Sequence, residues 1–173
     1  MSLTVIYGPM FAGKTTTLLT YIDNNNKPIY VINSILDIRT TNYIKTHNGI
    51  KYIAHKHQHI NFTNLELQIL RNNYDIIILD EAQFFNNLLN NINNMLSYNF
   101  TIYVAGLDLD SNQNKFGEIL DLIPIANNII QLTGKCYICS EIAPYTKRLD
   151  NINTSQILIG NNDKYACSCK LHL

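Results

Sequence analysis

A surplus of positive charge is the first thing this sequence lacks. Thirteen Lys and Arg stand against thirteen Asp and Glu, a formal net charge of zero, and no long basic run breaks the balance. A chain that lives on DNA or RNA carries a positive footprint, so a small or neutral partner is expected and nucleic acid is not. Also missing is any run approaching the ~20 apolar residues of a membrane span. The N-terminus, Met1-Ser-Leu-Thr-Val-Ile-Tyr7, has no basic region of the kind that opens a signal peptide. No membrane partner is expected, and the expected location is the cytoplasm, the host's if the source is viral. Charge of either sign is scarce, 15% against 46% hydrophobic, and much of the remaining polarity comes from Asn. Abundant Asn, Ile, Lys and Tyr are the residues of A/T-rich codons, which points to an A/T-rich virus or bacterium and says nothing about mechanism. At 173 residues the chain can bury a core without disulfides.

What is present begins at Gly8. "GPMFAGKTTT", Gly8 to Thr17, fits G-x-x-x-x-G-K-[ST] and lies between an apolar strand-like run, Leu3–Tyr7, and a helical segment, Thr15–Asp23. That is the context in which the pattern makes a phosphate-binding loop. Two glycines allow a tight turn, successive N–H groups face inward, and the helix N-terminus adds partial positive charge. Gly8, Pro9, Met10, Phe11, Ala12, Gly13, Lys14, Thr15 and Thr16 form the expected ATP-binding segment. Lys14 is expected to reach the β- and γ-phosphates, and the Thr15 hydroxyl to ligate Mg²⁺.

Further strand-like runs at Pro28–Asn33, Asp75–Leu79 and Thr101–Leu107 alternate with helical patterns at Asn64–Arg71 and Phe84–Leu96. Such alternation predicts a parallel sheet flanked by helices. "IIILDEAQFF" closes a buried strand with Asp80 and Glu81, at the carboxyl edge where such sheets place their ligands. Asp80 suits the Mg²⁺ water shell, and Glu81 suits the base for whatever attacks the γ-phosphate. The attacker is left open among water, a protein, a nucleic acid and a small alcohol. "DEAQ" is shared with helicases, but those need two large lobes and a basic track; "NKFG" at Asn114–Gly117 lacks the acid of a guanine reader.

After Gln131 helical periodicity stops and all four cysteines appear, which predicts a boundary between 1–133 and a small unit, 134–173. Short strand-like pieces are expected at Ala143–Leu149 and Gln156–Ile159. Cys136-x₂-Cys139 and Cys169-x₂-His172 offer three thiolates and one imidazole, a set suited to structural Zn²⁺, with Cys167 as a spare thiol. Disulfides are not expected in a reducing compartment. His55, His57 and His59 alternate as on one strand face and are read as a solvated edge. An alternative reading of these parts is a zinc-ribbon P-loop ATPase that binds nucleic acid or protein as a switch.

Seven blocks occur in the order found in the type II thymidine kinases, the cellular, bacterial and poxvirus family. They are "GPMFAGKTT", "DIR" at Asp37–Arg39, "DEAQFF", "GLD" with "KFG" ending at Gly117, the C-x₂-C, "YTKRL" at Tyr145–Leu149 and "DKY" at Asp163–Tyr165. The chain resembles that family over nearly its whole length. The resemblance implies an α/β, P-loop NTPase-like (RecA-like) sheet with a small C-terminal zinc-ribbon and lasso unit. It also implies transfer of the γ-phosphate of ATP to the 5′-hydroxyl of thymidine. By matching position, Glu81 is the implied base, with Arg39 and Lys14 beside the transferring group. Met10, Asp37, Phe84, Leu107, Phe116, Thr146 and Tyr165, with main-chain groups near Gln156 and Leu158, are the implied substrate contacts. Inhibition by dTTP and a homotetramer or dimer are implied likewise. Two positions depart from the family: Ser111 replaces a common aromatic, and His172 replaces a fourth cysteine. The chain ends at Leu173 without the tail of cellular relatives, which points to a viral or bacterial source.

Overall fold

The computed structural model describes residues 1–38, 41–45, 51–149 and 163–173. In chain order, β1 (Ser2–Tyr7) leads to α1 (Lys14–Asp23) and β2 (Ile29–Ser34). β3 (Tyr43–Lys45) and β4 (Lys51–Ile53) pair antiparallel, and β5 (His55–His57) follows. Then come α2 (Asn64–Asn73), β6 (Ile76–Leu79), α3 (Leu88–Ser97), β7 (Thr101–Gly106) and β8 (Asn128–Gln131). Four short strands finish the chain: β9 (Gly134–Lys135), β10 (Ile142–Ala143), β11 (Tyr145–Arg148) and β12 (Tyr165–Ser168).

Six strands form one sheet in the order β5-β2-β6-β7-β1-β8, and every neighbouring pair is parallel. The reason is visible in β6, whose four residues are all buried. Ile77 and Leu79 face Leu67 of α2 and Leu88, Ile92 and Met95 of α3; Ile76 and Ile78 face Leu18, Leu19 and Ile22 of α1. A strand covered on both faces must be apolar at every position, and only crossover helices cover a parallel sheet in that way. β7 lies between β1 and β6, so the ends of the phosphate loop's strand and of the acidic strand open onto the same edge.

One expected boundary is corrected. The helix predicted from Phe84 begins at Leu88. A 3₁₀ turn, Ala82–Phe84, comes first, and Asn87 is left-handed at φ 53°. The N–H groups of Asn87 and Leu88 donate to the Glu118 carboxylate at 3.0 and 2.6 Å, a cap supplied from the far side of β7. β8 was missed because an edge strand of four mostly exposed residues carries no buried run. The histidines lie on the edge that their alternation suggested, β5 being the terminal strand with His55 and His59 exposed; there His55 stacks on Tyr30 at 4.3 Å, and half-buried His57 shares a 3.0 Å hydrogen bond with the Tyr30 hydroxyl. The predicted strand at Gln156–Ile159 lies outside the described residues.

Candidate active site and metal centre

Residues 8–13 span the gap between β1 and α1. Gly8 has φ 145°, and a Cβ there would collide with the Leu132 carbonyl; Gly13 has φ 87° and caps α1. Neither geometry suits an L side chain. Phe11 nevertheless adopts φ 62° between them. The Lys14 ammonium lies inside the turn, donating to the carbonyls of Gly8 at 3.0 Å and Pro9 at 2.6 Å. Burial lowers its pKa, while the carboxylates of Glu81, Asp80 and Asp108 act to raise it. A desolvated cation beside three acids is poised to exchange two carbonyl contacts for phosphate oxygens.

The acids arrive from β6. Asp80 is buried, and its Oδ2 accepts from Thr15 Oγ1 at 2.9 Å while Oδ1 accepts from the Glu81 N–H at 3.0 Å. Thr15 and Asp80 are thus adjacent oxygen donors at the head of α1, a set that fits a hard divalent cation and its water. Glu81 is left-handed at φ 56°, which turns its side chain out of the strand direction. Gln83 Nε2 donates to Glu81 Oε2 at 2.6 Å, and Gln83 Oε1 accepts from the Leu107 N–H at 3.0 Å. That second bond ends β7 one residue before the predicted Leu107.

Phe84 and Phe116 meet edge to face with centroids 5.8 Å apart, and Leu107, Phe116, Thr146 and Tyr165 are buried. Thr146 Oγ1 accepts from the Met10 N–H at 3.0 Å; a hydroxyl that accepts there keeps a proton to donate. Asp37 is buried after β2, where Asn33 Nδ2 donates to it at 3.0 Å and Lys56 from β5 donates to its carbonyl at 2.7 Å. Arg39, Gln156 and Leu158 lie outside the described residues. Sequence reading passed over Gln83 and Lys56, and also Gln113, whose amide donates to the Thr146 carbonyl at 3.2 Å and ties the Ser111 loop to β11. All three are tied to residues distant in the chain.

Cys136, Cys139, Cys169 and His172 converge, their ligand atoms all within 4.8 Å of one another. Cys139 Sγ and Cys169 Sγ are 3.8 Å apart, and His172 Nδ1 lies 3.5 Å from Cys136 Sγ and 3.3 Å from Cys169 Sγ. A tetrahedral zinc ion would set sulfurs about 3.8 Å apart and sulfur from nitrogen about 3.6 Å apart, so the donor set and its spacing fit. Desolvation pushes the Cys136 thiol up, but the backbone N–H groups of Cys139, Cys169 and Ile138, with His172, outweigh it and bring it to about 5. Cys167 stands outside the cluster: its Sγ donates to the Met10 carbonyl at 2.8 Å.

Comparison with known proteins agrees with this arrangement. The family model described as thymidine kinase matches residues 1–173. A thymidine kinase of Mycoplasma genitalium is 34% identical over 97% of this chain and 81% of its own. One from Amsacta moorei entomopoxvirus is 37% identical over 99% of this chain and 97% of its own. One from Pseudothermotoga lettingae is 33% identical over 97% and 92%. Because the family match and these relatives run along the whole sequence rather than the phosphate loop alone, the chain belongs to the thymidine kinase family.

Proposed function

We propose that the chain transfers the γ-phosphate of ATP to the 5′-hydroxyl of thymidine, with Lys14, Thr15 and Asp80 serving the phosphates and Glu81 serving as base. The observation that carries this is the meeting of Thr15 and Asp80 at 2.9 Å beside Lys14 and Glu81. In the reaction the bond from O5′ to the γ-phosphorus forms as the bond from that phosphorus to the β,γ-bridging oxygen breaks. The alcohol proton passes to the Glu81 carboxylate, and ADP leaves. Such transfers have loose transition states, so alignment and charge stabilisation do most of the work. Thr15 and, through water, Asp80 would hold Mg²⁺, which would supply positive charge against the β- and γ-oxygens. Arg39 is assigned to the same phosphates.

Met10, Phe84, Leu107, Phe116 and Tyr165 are proposed as the apolar walls of a thymine pocket, with Thr146 and the main chain near Gln156 and Leu158 pairing with the base edges and Asp37 as a further substrate contact. Cys136, Cys139, Cys169 and His172 would hold a structural zinc, which would tie the two ends of the C-terminal unit together. The same reading takes 1–133 as the kinase unit and 134–173 as the zinc-pinned unit. It also carries dTTP as feedback inhibitor, a homotetramer or dimer, and a cytoplasmic setting; among the described residues no helix is long and apolar enough to cross a membrane.

The test is conversion of thymidine to its monophosphate with ATP and Mg²⁺ by zinc-replete protein. Glu81→Gln is expected to keep nucleotide binding and to lower kcat by about two or more powers of ten. Normal turnover by that variant would overturn the base assignment. ATP hydrolysis that rises with added DNA or RNA, without thymidine turnover, would favour a nucleic-acid switch instead.

A further inference from the structure

The middle of the phosphate loop is held from outside the sheet. The Met10 N–H donates to Thr146 Oγ1 at 3.0 Å, and the Met10 carbonyl accepts from Cys167 Sγ at 2.8 Å. These two side chains sit on adjacent strands: β11 and β12 pair antiparallel with Thr146 directly opposite Cys167. One cross-strand pair therefore grips both polar groups of a single loop residue. The next residue, Phe11, is left-handed at φ 62° and packs against the cluster of Cys136, Ala143, Cys167 and Cys169. A left-handed phenylalanine is strained and persists only where surrounding contacts over-determine it.

Gly134 of β9 completes the seat. A Cβ at that position would collide with Cys167 Sγ, so the glycine makes room for the sulfur. Cys167 is buried, and it is not one of the four clustered metal-ligand candidates. Packing alone does not explain a thiol aimed at a main-chain carbonyl, because an apolar side chain would leave that carbonyl without this donor.

We propose that Cys167 is a positioning residue for the kinase reaction: together with its cross-strand partner Thr146 it fixes Met10, and so holds the phosphate loop in the conformation that receives the phosphates of ATP. The proposal rests on the reading of residues 8–15 as that phosphate site. Titration of the wild-type chain with Mg²⁺ and ADP tests the underlying reading separately, since it asks only whether the loop binds nucleotide.

The experiment compares Cys167→Ala, Cys167→Ser and Gly134→Ala with the wild-type chain for ADP affinity by calorimetry, for KM of ATP and of thymidine, and for bound zinc. Cys167→Ala removes the donor and is expected to weaken ADP binding and raise KM for ATP about five- to tenfold. KM for thymidine should shift less than KM for ATP, and zinc content should not change. Cys167→Ser keeps a donor in the same place and should recover most of the ATP affinity. Gly134→Ala displaces the sulfur without removing it and should act like Cys167→Ala, which keeps the test open if that variant folds poorly. Unchanged ATP affinity in both alanine variants would overturn the proposal. So would a serine variant as impaired as Cys167→Ala, which would mean that the sulfur matters for its volume alone.

Discussion

The Gln83 amide has one orientation open to it, because the Leu107 N–H can only donate and therefore claims Oε1, which leaves Nε2 for Glu81. The side chain is buried, and its neighbourhood is tight enough that a Cβ on Gly106 would lie 2.8 Å from Oε1. Gln83 thus ties the proposed base to the end of β7, where the substrate pocket begins. Gln83→Glu replaces the donor with a second carboxylate across a 2.6 Å contact. Two carboxyl groups that close share a proton, so the acid limb of the kcat/KM profile should move to higher pH and kcat should fall by about an order of magnitude. A variant with reduced kcat but an unmoved profile would show that Gln83 only packs. Glu81 stood out in the sequence because an acid that ends an apolar run leaves a local pattern. Gln83 and Cys167 leave none, since their partners Leu107 and Met10 are 24 and 157 residues away in the chain.

Periodicity made the principal strands and α1 and α2 legible because burial on both faces imposes a pattern on every residue. It misplaced the start of α3, whose cap is a carboxylate some thirty residues further on, and in β5 alternation showed the exposed edge but not its neighbours. There Tyr30 lies against His55 and His57, and Phe62 meets the His57 ring edge-on at 5.4 Å. Burial is the main cause that lowers the His57 pKa below its ordinary 6.5, His55 adds to it, and Glu66 opposes it. The unfolded chain therefore takes up this proton first as pH falls. The contribution of a neutral His57 is full above about 6.5 and is lost on acidification down to the depressed native value. At pH 8 His57→Gln should be less stable than wild type by about 1 kcal/mol, the worth of one hydrogen bond. That gap in denaturant midpoint should close as pH drops through this window. Midpoints that stay parallel across it would show that His57 does not carry the proton linkage.

The two ends of the chain meet at the phosphate loop, and that meeting was the least legible feature, because the register that sets Thr146 opposite Cys167 is decided in space and not by spacing in sequence. It has an energetic consequence for the whole molecule. Among the described residues, the C-terminal ribbon has one small buried cluster, Cys136, Ala143, Cys167 and Cys169, with Phe11 packed against it. Full burial of such a small set gives only a few kcal/mol, about 1.5–3 for each large side chain, which is less than the cost of ordering the strands around it. Structural zinc contributes an apparent 10–16 kcal/mol or so in small domains, so the metal rather than the core is expected to hold the ribbon together. Metal analysis should find one zinc per chain. Stripping it with a chelator, or replacing Cys139 by Ser, should lower Tm by several degrees. Because the ribbon grips Met10 through Thr146 and Cys167 rather than through a metal ligand, loss of zinc should also weaken ADP binding. Glu81→Gln should bind ADP normally and retain its zinc, which separates damage to the chemistry from damage to the ribbon. A zinc-free chain with unchanged Tm and unchanged ADP affinity would show that the ribbon folds on its own contacts and that the metal is not coupled to the phosphate site.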